Sequence, residues 1–328
     1  MMTLMLLFLV SFGITMLCMP IVINRLKQAR IGQYIQDDGP KHASKAQTPT
    51  SAGIFLVLLV VVVLLFFGAL KSNTGRIVSA ILIGHMLLGA CDDLSKLLYK
   101  NNNLGLTVKT KLVIQALLAL FALGGLRWIM GEAMTVIHIP IGQTVAWKLD
   151  LGWLYYPFGF FVIVGASNAY NLSDGLDGLF AGLTSIACLG LIAVIGQGVT
   201  IDVPIVLSMF PAVIAGCLIG FLWFNSHPAS VFLGDSGSLS IGATLACVSI
   251  LAKVELLFGL ISGVFVIETL SVMVQVLYYK ITGGQRYFRM APIHHHYELC
   301  GLHETKIVVR FWVVGLIFSV ISICWVLL

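Results

Sequence analysis

Charge is what this sequence has least of. Only 10% of its 328 residues are Asp, Glu, Lys or Arg, against 59% hydrophobic, and the mean hydropathy is +1.01. A soluble globular chain carries roughly 25% charged residues. The shortfall excludes a soluble enzyme, and the apolar excess excludes a disordered chain. Paired-cysteine motifs are missing too. The seven cysteines include no C-x-x-C and lie mostly in apolar runs, as small buried hydrophobes do, so a secreted disulfide scaffold is excluded. There is no P-loop, no kinase signature, no internal repeat, no low-complexity tract and no polar stretch long enough for a soluble domain. No basic patch accompanies a nucleic-acid reader motif, so the net charge of +5 does not indicate nucleic acid.

What is present is a series of apolar runs. A bilayer-spanning helix needs about 20 apolar residues. Ten candidates occur, at about 3–23, 51–70, 77–91, 110–130, 156–170, 178–197, 203–224, 238–252, 257–280 and 307–328. They are continuous, not alternating, which favours helices over a transmembrane barrel. The predicted class is an all-α polytopic membrane protein, a single integral domain over residues 1–328. The first run lacks a positive flank before it and is followed by Arg25 and Lys27, not by a small-residue cleavage site. It reads as a retained helix.

Ten spans place both termini on one side. Of the 19 Lys and Arg residues, 14 fall in or beside the loops at about 24–50, 92–109, 171–177, 225–237 and 281–306. The positive-inside rule makes those loops cytoplasmic and both termini external. The same loops hold nine of the 14 acids and six of the eight histidines; of the acids, only Glu268 falls mid-span. A transporter or flippase, the rival from a different functional class, keeps its ionisable groups near the midplane. A non-catalytic scaffold has no reason to gather acids on one face. The concentration predicts one site assembled from several loops.

Three segments carry the chemistry. Asp92 and Asp93 are adjacent at a span's end, with Lys96 one helical turn on; adjacent carboxylates there are costly unless they bind a cation or share a proton, the alternative being a solvated helix end. Asn168–Gly178 contains Asn171, Asp174 and Asp177 with no Lys or Arg, which suits a metal or a ligand's donors, or simply a tight turn. Phe224–Ser238 holds Asn225, Phe232 and Asp235, again without a basic residue, and Gly234 and Gly237 allow close backbone approach. Asp235 is a hard oxygen ligand, suited to Mg2+ shared with substrate phosphates. His294, His295 and His296 are consecutive. They read as zinc ligands, as phosphate or sugar contacts, or as a solvated basic loop. His42 and Lys45 either meet a lipid phosphate or only satisfy the positive-inside rule. Carboxylates for a hard cation beside Lys and His for phosphate suit phosphoryl transfer to a lipid acceptor, chemistry that is chiefly positioning and charge neutralisation.

The segments TPTSAG (48–53), DDLSK (92–96), NAYNLSDGLDGL (168–179), FLWFNSHPASVFLGDSGSL (221–239), ETLSVMVQV (268–276) and APIHHHYE (291–298) resemble those of the polyprenyl-phosphate N-acetylhexosamine-1-phosphate transferase superfamily. The triple histidine favours its muramoyl-pentapeptide branch. TPTSAG departs from the usual glycine-richer form. The resemblance implies ten helices in a bacterial plasma (inner) membrane with the active site on the cytoplasmic face. It implies Mg2+-dependent transfer of phospho-MurNAc-pentapeptide from UDP-MurNAc-pentapeptide to undecaprenyl phosphate, giving lipid I and UMP in peptidoglycan synthesis. A GlcNAc-1-phosphate transferase using UDP-GlcNAc is the nearest alternative. By the same resemblance Asp235 is the magnesium ligand, and Asp92 and Asp93 are the acids that deprotonate or position the lipid phosphate. Asn171, Asp174 and Asp177 belong to the nucleotide and catalytic centre, and Lys96, Asn225 and Phe232 to the nucleoside pocket. His294 is catalytic beside His295 and His296, and Lys111 contacts lipid phosphate. It also suggests a homodimer.

Overall fold

Helices α1 (Met2–Gln28), α2 (Gly53–Phe66), α3 (Asn73–Leu98), α4 (Val108–Met130), α5 (Tyr155–Leu172), α6 (Leu179–Gly196), α7 (Ile205–Asn225), α8 (Asp235–Leu251), α9 (Glu255–Ile261), α10 (Gly263–Ile281), α11 (Ile293–Leu299) and α12 (Glu304–Leu327) make up most of the chain. They come from a computed structural model describing residues 1–29, 31–32, 48–99, 105–141, 144–197 and 204–328. Seven of them (α1, α3, α4, α6, α7, α10, α12) are long and apolar enough to cross a membrane, and α2 and α8 are shorter apolar helices. The all-α membrane class therefore holds. The ninth predicted run is divided at Ser262 into α9 and α10. Strands β1 (Val136–Ile141) and β2 (Thr144–Asp150) form an antiparallel hairpin between α4 and α5.

Local chemistry explains where the helices begin. The Ser72 hydroxyl accepts the Gly75 N–H at 3.0 Å to cap α3, and Thr107 accepts the Thr110 N–H at 3.1 Å to cap α4. Such caps satisfy orphan donors and contribute about 1 kcal/mol each. The outward faces stay apolar, with Leu17, Phe66, Trp128 and Leu277 exposed, as a lipid-facing surface requires.

The central helix is α8, which is buried continuously from Ser236 to Leu251. It packs chiefly against α3 and α5. Its sequence explains this position, since Ser, Gly, Ala and Thr let helix backbones approach closely. Two of its hydroxyls are satisfied within the helix: Ser240 donates to the Ser236 carbonyl and Thr244 to the Ser240 carbonyl, both at 2.7 Å.

The two ends of α8 differ. At its C-terminal end Lys253, only 1% exposed, donates to the Met134 carbonyl at 2.5 Å and lies 4.6 Å above the Tyr155 ring. Tyr155 donates in turn to Glu255 at 2.9 Å. Burial pushes the Lys253 ammonium down to about 8, while the neighbouring Glu255 pulls it back up. This cluster ties the α8–α9 turn to the start of α5 and to the hairpin's approach, and Trp325 of α12 donates to the Pro140 carbonyl of β1 at 2.8 Å. Removing one partner of a buried pair leaves the other uncompensated, at about 3–5 kcal/mol. Lys253→Met is therefore expected to lower the thermal midpoint of the detergent-solubilised protein clearly, and an unchanged midpoint would refute the anchoring role.

Candidate active site at the N-terminal end of α8

The opposite end of α8 collects the acids. Asp235 is its first residue; Asp92 and Asp93 lie near the end of α3, which remains helical through Leu98. Carboxylate oxygens of Asp92, Asp93 and Asp235 lie within 4.8 Å of one another. Two lysines hold them together. Lys96 Nζ is 2.7 Å from Asp92 Oδ2 and 3.1 Å from Asp235 Oδ2; Lys111 Nζ is 2.8 Å from each. Lys96 follows Asp92 by four residues on one helix face, the spacing read in the sequence. Lys111 arrives from the first turn of α4, which runs antiparallel to α3.

Each acid of the cluster has an assigned support. Asp92 is fully buried, and its Oδ1 accepts the Leu106 N–H at 2.7 Å. Asp93 accepts the N–H groups of Asp235 and Ser236 at 3.1 and 3.3 Å. It thus meets the unsatisfied donors and positive dipole end of α8. Asn171, on the last turn of α5, donates to Asp235 Oδ1 at 3.0 Å and to Ser238 Oγ at 2.9 Å. Asp174 stands in the loop between α5 and α6. Burial, followed by the charges of Asp235 and Asp93, raises its carboxyl well above the usual carboxylate range.

The TPTSAG segment lies against this centre. Phe232 N–H donates to the Pro49 carbonyl at 2.7 Å, and the amides of Ala52 and Gly53 donate to the carbonyls of Phe232 and Leu233 at 3.2 and 2.8 Å. The ring of Phe232 is only half-buried. The expected close approach at Gly234 is to the chain itself, because a Cβ there would meet the Asp93 carboxylate.

A second neighbourhood adjoins the first through the α5–α6 loop. Asp177 accepts the Ala229 N–H at 3.1 Å and faces His227 Nδ1 at 3.0 Å, while its own N–H donates to Glu304 at 2.7 Å. Asn225 uses both ends of its amide inside the fold, accepting from the Gly178 N–H at 3.1 Å and donating to the Val231 carbonyl at 2.9 Å. His227 and Glu304 are members of this neighbourhood to which the sequence alone assigns no role. An acid opening a helix, as Glu304 opens α12, was the available signal.

The three histidines separate. His294 is fully buried with Nδ1 3.0 Å from Glu268 Oε2. His295 Nδ1 pairs with Glu298 at 2.7 Å. His296 Nδ1 accepts the Arg289 N–H at 3.1 Å. Three rings with three different partners do not form a zinc site. Lys111 is brought to the acids themselves. His42 and Lys45 lie outside the described residues.

The cluster suits a divalent cation. Its donors are hard carboxylate oxygens, and two ammonium groups already occupy the space between two of them. Buried carboxylates at this density require positive charge, so an acidic cluster able to hold a metal is present.

Comparison with known proteins agrees with this chemistry. The family model described as glycosyl transferase family 4 matches residues 75–253. A phospho-N-acetylmuramoyl-pentapeptide-transferase from Geobacillus kaustophilus is 44% identical over 321 residues, covering 96% of this chain and 95% of the relative. Proteins of the same name from Thermodesulfovibrio yellowstonii (42% identical, 97% and 91% covered) and Borrelia hermsii (40%, 95% and 92%) are similarly related.

Proposed function

From the premise that the chain belongs to glycosyl transferase family 4 and, within it, to the phospho-N-acetylmuramoyl-pentapeptide-transferases, we propose the reaction that it carries out. It transfers phospho-MurNAc-pentapeptide from UDP-MurNAc-pentapeptide to undecaprenyl phosphate, releasing UMP and leaving lipid I. The observation that carries this reading is the meeting of Asp92 and Lys96 of α3, Lys111 of α4 and Asp235 of the distant α8. We place the site on the cytoplasmic face of a bacterial inner membrane, because most Lys and Arg lie in the loops at that end.

An oxygen of the lipid phosphate attacks the donor's β-phosphorus; the bond from that phosphorus to the bridging oxygen breaks, and UMP leaves with the electron pair. A phosphate monoester, with a second pKa of about 6, is already largely ionised near neutral pH. Asp92 and Asp93 therefore need only exclude or accept a last proton. Lys96 and Lys111, each shared between two carboxylates, are placed to exchange part of that pairing for phosphate oxygens as substrates enter. Asn171 orients Asp235. Asp235, with Asp92 and Asp93 beside it, would hold Mg2+, which when bound supplies positive charge to the phosphate oxygens. The α5–α6 loop and Phe232 line the donor side.

Direct attack is favoured over a covalent phospho-enzyme, because Asp92 is fully buried with both oxygens engaged. The test uses the protein in lipid nanodiscs with undecaprenyl phosphate and either UDP-MurNAc-pentapeptide or UDP-GlcNAc, scoring labelled lipid and UMP. Lipid product is expected with the first donor, and product only with UDP-GlcNAc would overturn the assignment. Label trapped on enzyme denatured without acceptor would exclude direct attack.

A further inference from the structure

Glu268 and His294 form a pair that the transfer steps do not use. Glu268 stands on α10, a helix buried along only one narrow face, and His294 is in the first turn of α11. Both side chains are fully buried, with Oε2 and Nδ1 3.0 Å apart. Two ionisable groups out of water at this cost are retained only where the pair has a task or excellent geometry. Among the described residues the other imidazole nitrogen, Nε2, has no hydrogen-bond partner, and neither has Glu268 Oε1.

The free nitrogen is not beside empty space. It lies against Gly175, where a Cβ would overlap it. Gly175 follows Asp174 and precedes Asp177 by two residues, both acids belonging to the α5–α6 loop. The imidazole is therefore the floor under the loop that carries both acids. Only glycine lets the loop rest that low.

We propose that Glu268 is a positioning residue for the transfer reaction. By engaging Nδ1 it fixes the His294 ring, which supports residues 173–178 from beneath and sets the height of Asp174 relative to Asp235. A carboxylate behind an imidazole fixes tautomer and ring orientation wherever a functional histidine must not swing. Glu268 itself touches neither substrate nor the acid cluster; it acts through His294 and Gly175. The role presupposes the transfer reaction proposed above.

The experiment compares wild type, Glu268→Ala, Glu268→Gln, His294→Ala, Gly175→Ala and the Glu268→Ala/His294→Ala double variant in nanodiscs. Activity of the wild type with UDP-MurNAc-pentapeptide is established first, so failure of the transferase reading shows before any variant is scored. Glu268→Ala is expected to lower kcat/KM for the donor by about 10- to 100-fold, with a raised donor KM and an unchanged acceptor KM. Glu268→Gln keeps an oxygen for the Nδ1–H and is expected to recover most of that loss. The double variant should be no worse than His294→Ala alone, since both substitutions break one chain of contacts. Gly175→Ala, which pushes the loop from the other side, should raise the donor KM likewise and decides the matter if Glu268→Ala does not fold. A merely structural pair would lose activity only in proportion to folded protein, with donor KM unchanged in both Glu268→Ala and Gly175→Ala. That result, or losses that multiply in the double variant, overturns the proposal.

Discussion

Asp235→Asn is expected to reduce transfer by about 10³-fold while the protein remains folded. The substitution keeps shape and removes one negative charge from the point where two lysines converge. Asp235 Oδ2 receives Lys96 and Lys111 at 3.1 and 2.8 Å, and Oδ1 receives the Asn171 amide at 3.0 Å. Every one of these neighbours is a donor. An asparagine has one acceptor oxygen and one NH2 group, so whichever way it turns a donor faces a donor. The carboxylate also sits at the start of α8, where the helix dipole favours negative charge. Its loss therefore weakens the lysine positions and removes a ligand of the proposed Mg2+ together. The fold is expected to survive because α8 is held by its buried face beyond Asp235. Labelled lipid product measures the first part, and size-exclusion behaviour with a thermal melt measures the second. Turnover within tenfold of wild type would show that Asp235 is not the central ligand.

Gly89→Ala is expected to produce the next largest loss, about 10²-fold, through position alone. Gly89 bears no functional group. It lies on α3, one turn before Asp93, and its Cα faces the backbone of Asp235 and Ser236; an added Cβ would overlap the Asp235 carbonyl. The obstacle is backbone, not the far end of a flexible side chain, so α3 and the start of α8 must separate. Separation pulls the Asp235 and Ser236 amides away from Asp93 and Asp235 away from Asp92. Overpacking of this kind costs about 1–3 kcal/mol in stability. The control is Gly13→Ala on α1, where an added Cβ meets nothing within 4 Å; it should leave turnover unaltered. If Gly89→Ala retains wild-type turnover, the close approach of α3 to α8 does not set the acid geometry.

Much of the site was legible because its parts are local motifs. Asp92 and Lys96 share a helix face by spacing, and the basic-free loops holding Asp174, Asp177 and Asp235 stand out in a chain this poor in charge. The role of Lys111 was harder to see. The resemblance gives it a lipid-phosphate contact and spacing alone gives it nothing; only when α4 turns back against α3 does its ammonium reach Asp92 and Asp235. The histidine run loses only one of the readings it left open, the zinc site. Three adjacent residues in sequence point in different directions on one short helix, so adjacency did not become a cluster.

The sequence by itself determined the solvent this protein folds in, the helical class and the supply of acids and lysines, because hydropathy and i, i+4 spacing depend only on near neighbours. Tertiary structure alone decided which acids meet. Lys111 and Asp235 are 124 residues apart, and Asp93 and Asp235 are 142 apart. Their contact depends on helix faces made of glycine, serine and alanine packing at backbone distance around α8. No local pattern specifies that fit, since it exists only once both helices are present.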